Sequence, residues 1–177
     1  MEAEDGMEIN QFIERIQGSL RDKYRIGNVI GEGAFGQVRE IRFRDNLDEV
    51  RAVKILTKAK MSADEHTSLK NEFNNLKNLD HPNILKMYEL YEDDKRYYIV
   101  TEKCDGGELF DNLMDRGGSI SEKDVSQIMK TVLSCINYCH SNKIAHRDLK
   151  PENILLEKNK DFHQLKVIDF GTSVSFD

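Results

Sequence analysis

The sequence contains no apolar run approaching the roughly 20 residues that a helix needs to cross a bilayer. Its acidic start, Met1-Glu2-Ala3-Glu4-Asp5, lacks the positive-then-apolar order of a secretory signal, and Glu2 stands where N-myristoylation requires glycine. These absences argue against a membrane anchor and predict an intracellular, cytoplasmic protein. Basic residues are not in excess: 26 Lys and Arg against 32 Asp and Glu leave a formal net charge of -6, which gives no general attraction to nucleic acid. Cysteine is scarce, at three residues. Cys135 and Cys139 share a helical stretch without a second Cys/His pair to complete a zinc site, so they read as core packing. Repeats and low-complexity linkers are missing too. What remains is an ordinary globular composition, 38% hydrophobic and 33% charged, in a chain of 177 residues long enough to bury a core.

Periodicity divides the chain. Ile9, Phe12, Ile13 and Ile16 recur at helical spacing within residues 1–22, an N-terminal extension that suits a short amphipathic helix or a frayed end. From Tyr24 the period becomes two, predicting strand, glycine turn and strand through Phe43, then a strand from Val50 to Leu56. Ser62 and Glu65 form a capping box ahead of Leu69, Phe73, Leu76 and Leu79, which predicts a helix ending by Pro82. The runs 84–91 and 97–101 flank a polar turn and predict a hairpin. Beyond Gly106-Gly107 the pattern is helical: a short helix over 109–114, then a long one-sided helix from Val125 to Cys139 capped by Ser121 and Asp124. A polar loop over 146–153 and short strands at 154–156 and 165–168 follow.

Gly31-Glu32-Gly33-Ala34-Phe35-Gly36 brings backbone amides where phosphates could approach. A dinucleotide site requires a helix after such glycines and an acidic residue about 20 positions on. Here a strand follows, and that spacing brings Arg51-Ala52-Val53-Lys54, which argues against a dinucleotide-dependent oxidoreductase and for a hairpin lid over phosphates. Lys54 lies in an apolar strand, where a cation needs an anionic partner. Glu72, on the helix face of Leu69, Leu76 and Leu79, is the partner that spacing offers.

The segment His146-Arg147-Asp148-Leu149-Lys150-Pro151-Glu152-Asn153, followed by Asp169-Phe170-Gly171, is the most specific in the chain. With the glycine loop, Ala52-Val53-Lys54 and a helix glutamate, all in order, residues 24–177 resemble the eukaryotic protein kinases. The resemblance implies an α+β, protein-kinase-like fold. An N-lobe over 23–103 would hold an antiparallel sheet and one main helix, and residues 104–177 would form an incomplete, mainly helical C-lobe. It implies ATP and Mg2+ as cofactors. Asp148 would be the catalytic base, Lys150 would steady the transferring phosphoryl group as in the serine/threonine branch, and Lys54 with Glu72 would orient phosphate. Asn153 and Asp169 would hold magnesium, a hard cation suited to their oxygens.

By the same resemblance Ile30, Gly31, Gly33 and Gly36 belong to the nucleotide lid, and Val38 and Ala52 cover the adenine with Leu155 beneath it. Thr101 takes the gatekeeper place, Glu102 and Cys104 offer backbone groups to the adenine, and Glu108 faces the ribose. Leu76, Met87, His146 and Phe170 would stack as in an active state. Protein substrates with basic residues before the phosphoacceptor are implied by analogy. A finer likeness is to the calcium-dependent protein kinases of plants and protists, carried by the stretch from Leu79 to Asp93, by Gly106-Gly107-Glu108-Leu109-Phe110-Asp111 and by Lys143 to Glu157. In that family calcium binds EF-hands downstream of the kinase domain, and this sequence holds no such loop, so calcium sensing would require a longer form. The chain stops at Asp177, before the Ala-Pro-Glu of that family. Three expectations follow: low activity of the chain alone, an uncovered apolar face on the 125–139 helix, and no phosphate or carboxylate partner for Arg147. The alternative is an inactive nucleotide-binding or interaction module.

Overall fold

The computed structural model describes residues 14–16, 18–34, 36–76, 79–115, 117–158 and 160–176. One antiparallel sheet dominates the first half, built from β2 (Tyr24–Gly33), β3 (Gly36–Phe43), β4 (Val50–Thr57), β5 (Met87–Glu92) and β6 (Arg96–Thr101). A short strand, β1 (Glu14–Ile16), joins its edge in parallel with β5, giving the order β1-β5-β6-β4-β3-β2. Alternation of apolar residues with charges accounts for β3, where Ile41 is fully buried between half-exposed or exposed neighbours. Of the residues whose spacing suggested an N-terminal helix, Ile9, Phe12 and Ile13 lie outside the described residues and Ile16 is in β1. A single helical turn, α1 (Leu20–Lys23), follows, capped by reciprocal bonds between Ser19 and Asp22.

Between β4 and β5 runs α2 (Ala63–Leu76). Its capping box is formed: the Ser62 amide donates to Glu65 Oε2 at 2.6 Å, and the Glu65 amide donates to Ser62 Oγ at 3.3 Å. The second half contains α3 (Leu109–Met114), α4 (Glu122–Ser141), and the small antiparallel pairs β7 (Ile144–Ala145) with β10 (Val174–Ser175) and β8 (Ile154–Leu156) with β9 (Leu165–Val167). The hairpin predicted from residue 84 begins at Met87; Ile84 instead makes an isolated parallel bridge to Val167, tying the first half to β9.

A continuous core joins the two halves: Leu56, Leu76 and Met87 from the first pack with Cys135, Val167 and Phe170 from the second. Cys135 and Cys139 are fully buried there, and the Cys135 thiol faces the Asn83 carbonyl oxygen at 3.6 Å. One flank of α4 is uncovered, with Val125, Met129 and Leu133 all exposed. Among the described residues, no helix is long and apolar enough to cross a membrane.

Candidate active site

The upper wall of the cleft follows from strand register. Gly31 is paired with Val38, Val38 with Lys54, and Ala52 with Thr101. Directly opposed residues in antiparallel strands share a face, as do residues two apart, so Val38, Ala52, Lys54 and Thr101 line one side of the sheet. Ile30 beside them is exposed. The glycines of the lid divide by cause. A Cβ on Gly36 would collide with the Ile55 carbonyl, so this glycine is dictated by the close approach of β3 to β4. Gly33 has no atom within 4 Å of such a Cβ, and Gly31 meets only the Val38 side chain at ordinary contact distance. Packing does not explain their lack of a side chain; close approach of a ligand would.

The segment after β6 forms the back of the cleft. Thr101 Oγ1 donates to the Glu102 carbonyl at 3.0 Å, and the Glu102 amide donates to the Lys86 carbonyl at 3.0 Å. Glu102 therefore has its amide committed, while among the described residues the Cys104 backbone N–H and C=O have no hydrogen-bond partner. Burial pushes the Cys104 thiol up to about 12. On the floor, Leu155 opposes Glu108 in an antiparallel bridge. Gly106 is wedged beneath, where a Cβ would fall 2.5 Å from Leu156 Cβ and from the Lys158 carbonyl oxygen.

Asp148, Lys150 and Asn153 are brought together. Lys150 Nζ lies 2.8 Å from Asp148 Oδ2, and Asn153 Nδ2 donates to both Asp148 Oδ2 at 3.0 Å and the Asp148 carbonyl at 2.8 Å. The Lys150 ammonium, with Asn153 assisting, holds the Asp148 carboxyl below its ordinary range. Asn153 is buried, and with its Nδ2 spent on Asp148 its Oδ1 is left as an acceptor. Asp169 is exposed and adopts a left-handed backbone at φ 63°; one of its oxygens accepts the Gly171 amide at 3.3 Å.

His146 holds this loop. Its Nδ1 accepts the Asp148 amide at 3.2 Å and its Nε2 faces the Ile168 carbonyl at 2.9 Å, which assigns the proton to Nε2. Arg147, at φ 68°, makes no ion pair with a carboxylate among the described residues; its Nε donates instead to the Thr172 carbonyl at 2.7 Å. A backbone acceptor of this kind leaves no mark in the sequence.

Lys54 and Glu72 are not joined. Among the described residues no ion pair within 4.0 Å links them. The strand places Lys54 on the cleft face, where it is exposed, so the desolvation cost that would demand a partner does not arise. Glu72 is the sheltered member: burial raises its carboxyl pKa, Lys54 at longer range lowers it, and Asp169 adds to the rise. What does fasten α2 is Asn75, whose Nδ2 donates to Ser173 Oγ at 2.7 Å, a contact that no sequence pattern announces. Lys166 was also missed; its position between Leu165 and Val167, a cation in an apolar strand, was the available signal.

The chain is 43% identical over 164 residues to calcium-dependent protein kinase 5 of Plasmodium falciparum, a span covering 92% of this chain and 28% of that protein. It is 39% identical over 155 residues to calcium/calmodulin-dependent protein kinase type 1 of Macrobrachium nipponense, covering 88% of this chain and 44% of the relative. The chain thus spans less than half the length of either. Among solved structures, the twitchin kinase fragment of C. elegans superposes with a TM-score of 0.82 at 29% identity, over 95% of this chain and 37% of that one. Residues 24–177 match the family described as the protein kinase domain, and the chain belongs to that family.

Proposed function

We propose that this chain carries the nucleotide cleft and catalytic loop of a serine/threonine protein kinase that transfers the terminal phosphoryl group of ATP to protein hydroxyls, in the cytoplasm. The observation that carries the reading is the Asp148–Lys150–Asn153 cluster. A carboxylate kept ionised by an ammonium 2.8 Å away suits acceptance of a hydroxyl proton, and the same ammonium is read as meeting a phosphoryl oxygen. The adenine ring is read as lying between Val38 and Ala52 above and Leu155 below, with the unpaired Cys104 backbone groups as its hydrogen-bond partners. The lid residues Ile30, Gly31, Gly33 and Gly36, the gatekeeper Thr101 and the ribose-facing Glu108 complete the proposed contacts.

Magnesium fits the donors present. Asn153 Oδ1 and the Asp169 carboxylate are hard oxygen donors, and they would hold it. When bound, the ion supplies neutralisation of phosphate charge. Glu108 suits a basic peptide: burial, then the charges of Asp111 and Glu152, raise its carboxyl pKa, so a cation nearby would be welcomed. A second reading, nucleotide binding without transfer, draws on the separation of Lys54 from Glu72.

The test is phosphate transfer from radiolabelled ATP to a basic serine peptide, together with nucleotide affinity, for a form extending through the Ala-Pro-Glu segment, as wild type and as Asp148→Asn. The reading expects Asp148→Asn to lose transfer by ~10²-fold or more with affinity nearly unchanged. Full transfer by Asp148→Asn would refute the assignment of the base, and binding without any transfer by the wild type would favour the second reading.

A further inference from the structure

Behind the segment linking β6 to α3 lies a buried lysine that the chemistry above does not use. Lys166, the central residue of β9, is 8% exposed, and its Nζ stands 3.0 Å from Glu102 Oε1 and 3.3 Å from Glu157 Oε1. Burial works to lower its pKa, but the two carboxylates outweigh that effect and hold it above the ordinary lysine value. An ammonium this sheltered would be costly without them.

The Glu102 carboxylate has a second task. Its Oε1 accepts the Lys86 backbone N–H at 2.7 Å, while the Glu102 amide donates back to the Lys86 carbonyl. One carboxylate therefore gathers the entry to β5, the linking segment and β9. Glu157 completes the arrangement from the other side. Its carbonyl accepts the Asp105 amide at 3.0 Å, and the Leu156 carbonyl accepts the Gly106 amide at 3.0 Å. Lys166 is also the register partner of Leu155, so its stem lies on the same face as the residue read as the adenine floor.

We propose that Lys166 is a positioning residue for the nucleotide: through Glu102 and Glu157 it fixes the linking segment against the β8–β9 hairpin, and so sets where the Cys104 backbone lies relative to Leu155. The inference rests on the kinase reading of the cleft. It gives Glu102 a further role through its side chain, beside the backbone contact with the adenine that the resemblance implies. The charge is essential to the role, because an apolar side chain of equal length would fill the space and leave the Glu102 carboxylate held by the Lys86 amide alone.

The experiment compares wild type, Lys166→Met and Lys166→Arg by amide hydrogen exchange and by affinity for a fluorescent ATP analogue. Where peptide phosphorylation is measurable, KM for ATP and kcat are added. Lys166→Met is expected to speed exchange at Lys86 and Glu102 and to weaken nucleotide binding about tenfold, ~1.4 kcal/mol, with kcat at saturating ATP within about twofold. Lys166→Arg should recover most of both losses. Unchanged exchange and affinity in Lys166→Met, or a loss confined to kcat, overturns the proposal. Glu157→Gln keeps the lysine and removes one charge; faster exchange at Asp105 in this variant supports the proposal, and wild-type exchange there counts against it even if Lys166→Met fails to fold. A wild type without nucleotide affinity overturns the kinase reading and this inference together. A wild type that binds while Lys166→Met binds equally well overturns this inference alone.

Discussion

The His146 ring stands edge-on to Phe170, with centroids 4.6 Å apart, and both side chains are buried. This contact joins the loop that carries Asp148 to the segment that carries Asp169, so the two acidic residues are positioned by a shared apolar element. Leu76 and Met87 belong to the same core as Phe170, which extends the connection to α2 and β5.

Removing the ring contact should be expensive. Phe170→Ala deletes a fully buried aromatic and is expected to cost ~3–5 kcal/mol in denaturant unfolding. His146→Phe preserves the packing but strands the Ile168 carbonyl and the Asp148 amide, for a cost of about 1–3 kcal/mol. If His146→Phe is as stable as the wild type, the ring's hydrogen bonds do not matter to the fold.

The two ends of the glycine loop should respond differently to the same substitution. Gly36→Ala forces β3 away from the Ile55 carbonyl and is expected to destabilise the chain by about 1–3 kcal/mol. Gly33→Ala meets open space and should stay within about 0.5 kcal/mol of the wild type in thermal unfolding. Its effect should surface in nucleotide affinity instead, which the proposed lid requires.

Stability should depend on Glu72 in one direction of pH. Its folded-state pKa lies above the ordinary 4.5, mainly through burial, so the native state holds the proton more tightly than the unfolded chain. The resulting penalty is absent below pH 4.5 and grows as pH rises through the interval up to the raised value. Glu72→Gln should therefore match the wild type in acid and exceed it in Tm at neutral pH. A Tm gain largest in acid would contradict the sign.

Cys104 should be a sluggish thiol despite its place beside the cleft. With a pKa pushed from 9.0 to about 12, its thiolate fraction at pH 8 falls roughly 10³-fold, and alkylation by iodoacetamide should slow accordingly. Rapid labelling at that pH, mapped to Cys104, would contradict the effect of burial.

Local rules carried much of the architecture. The capping residues Ser62 and Ser121 located the starts of α2 and α4, and α3 falls at Leu109–Met114 as its spacing predicted. The pairs β7–β10 and β1–β5 were not legible, because strands of two or three residues are set by the neighbour they meet and have too few positions to show a period. At the site, the ordered motifs brought Asp148, Lys150 and Asn153 to attention, and the three are in contact. A cation in an apolar strand needs carboxylates only where the strand shelters it, and Lys54 faces the open cleft. That condition is met by Lys166, whose strand is buried throughout. One sequence cannot say which face of a short strand meets water.

The parallel pairing of Glu14–Ile16 with β5 also bears on how the molecule behaves among copies of itself. Without it, β5 would be the outermost strand on that side, presenting unpaired amides and carbonyls to any strand able to dock. Those three residues act as a selvage, a finished border that keeps the weave from being extended. A version of the chain beginning after Ile16 should lose solubility well before it loses its fold.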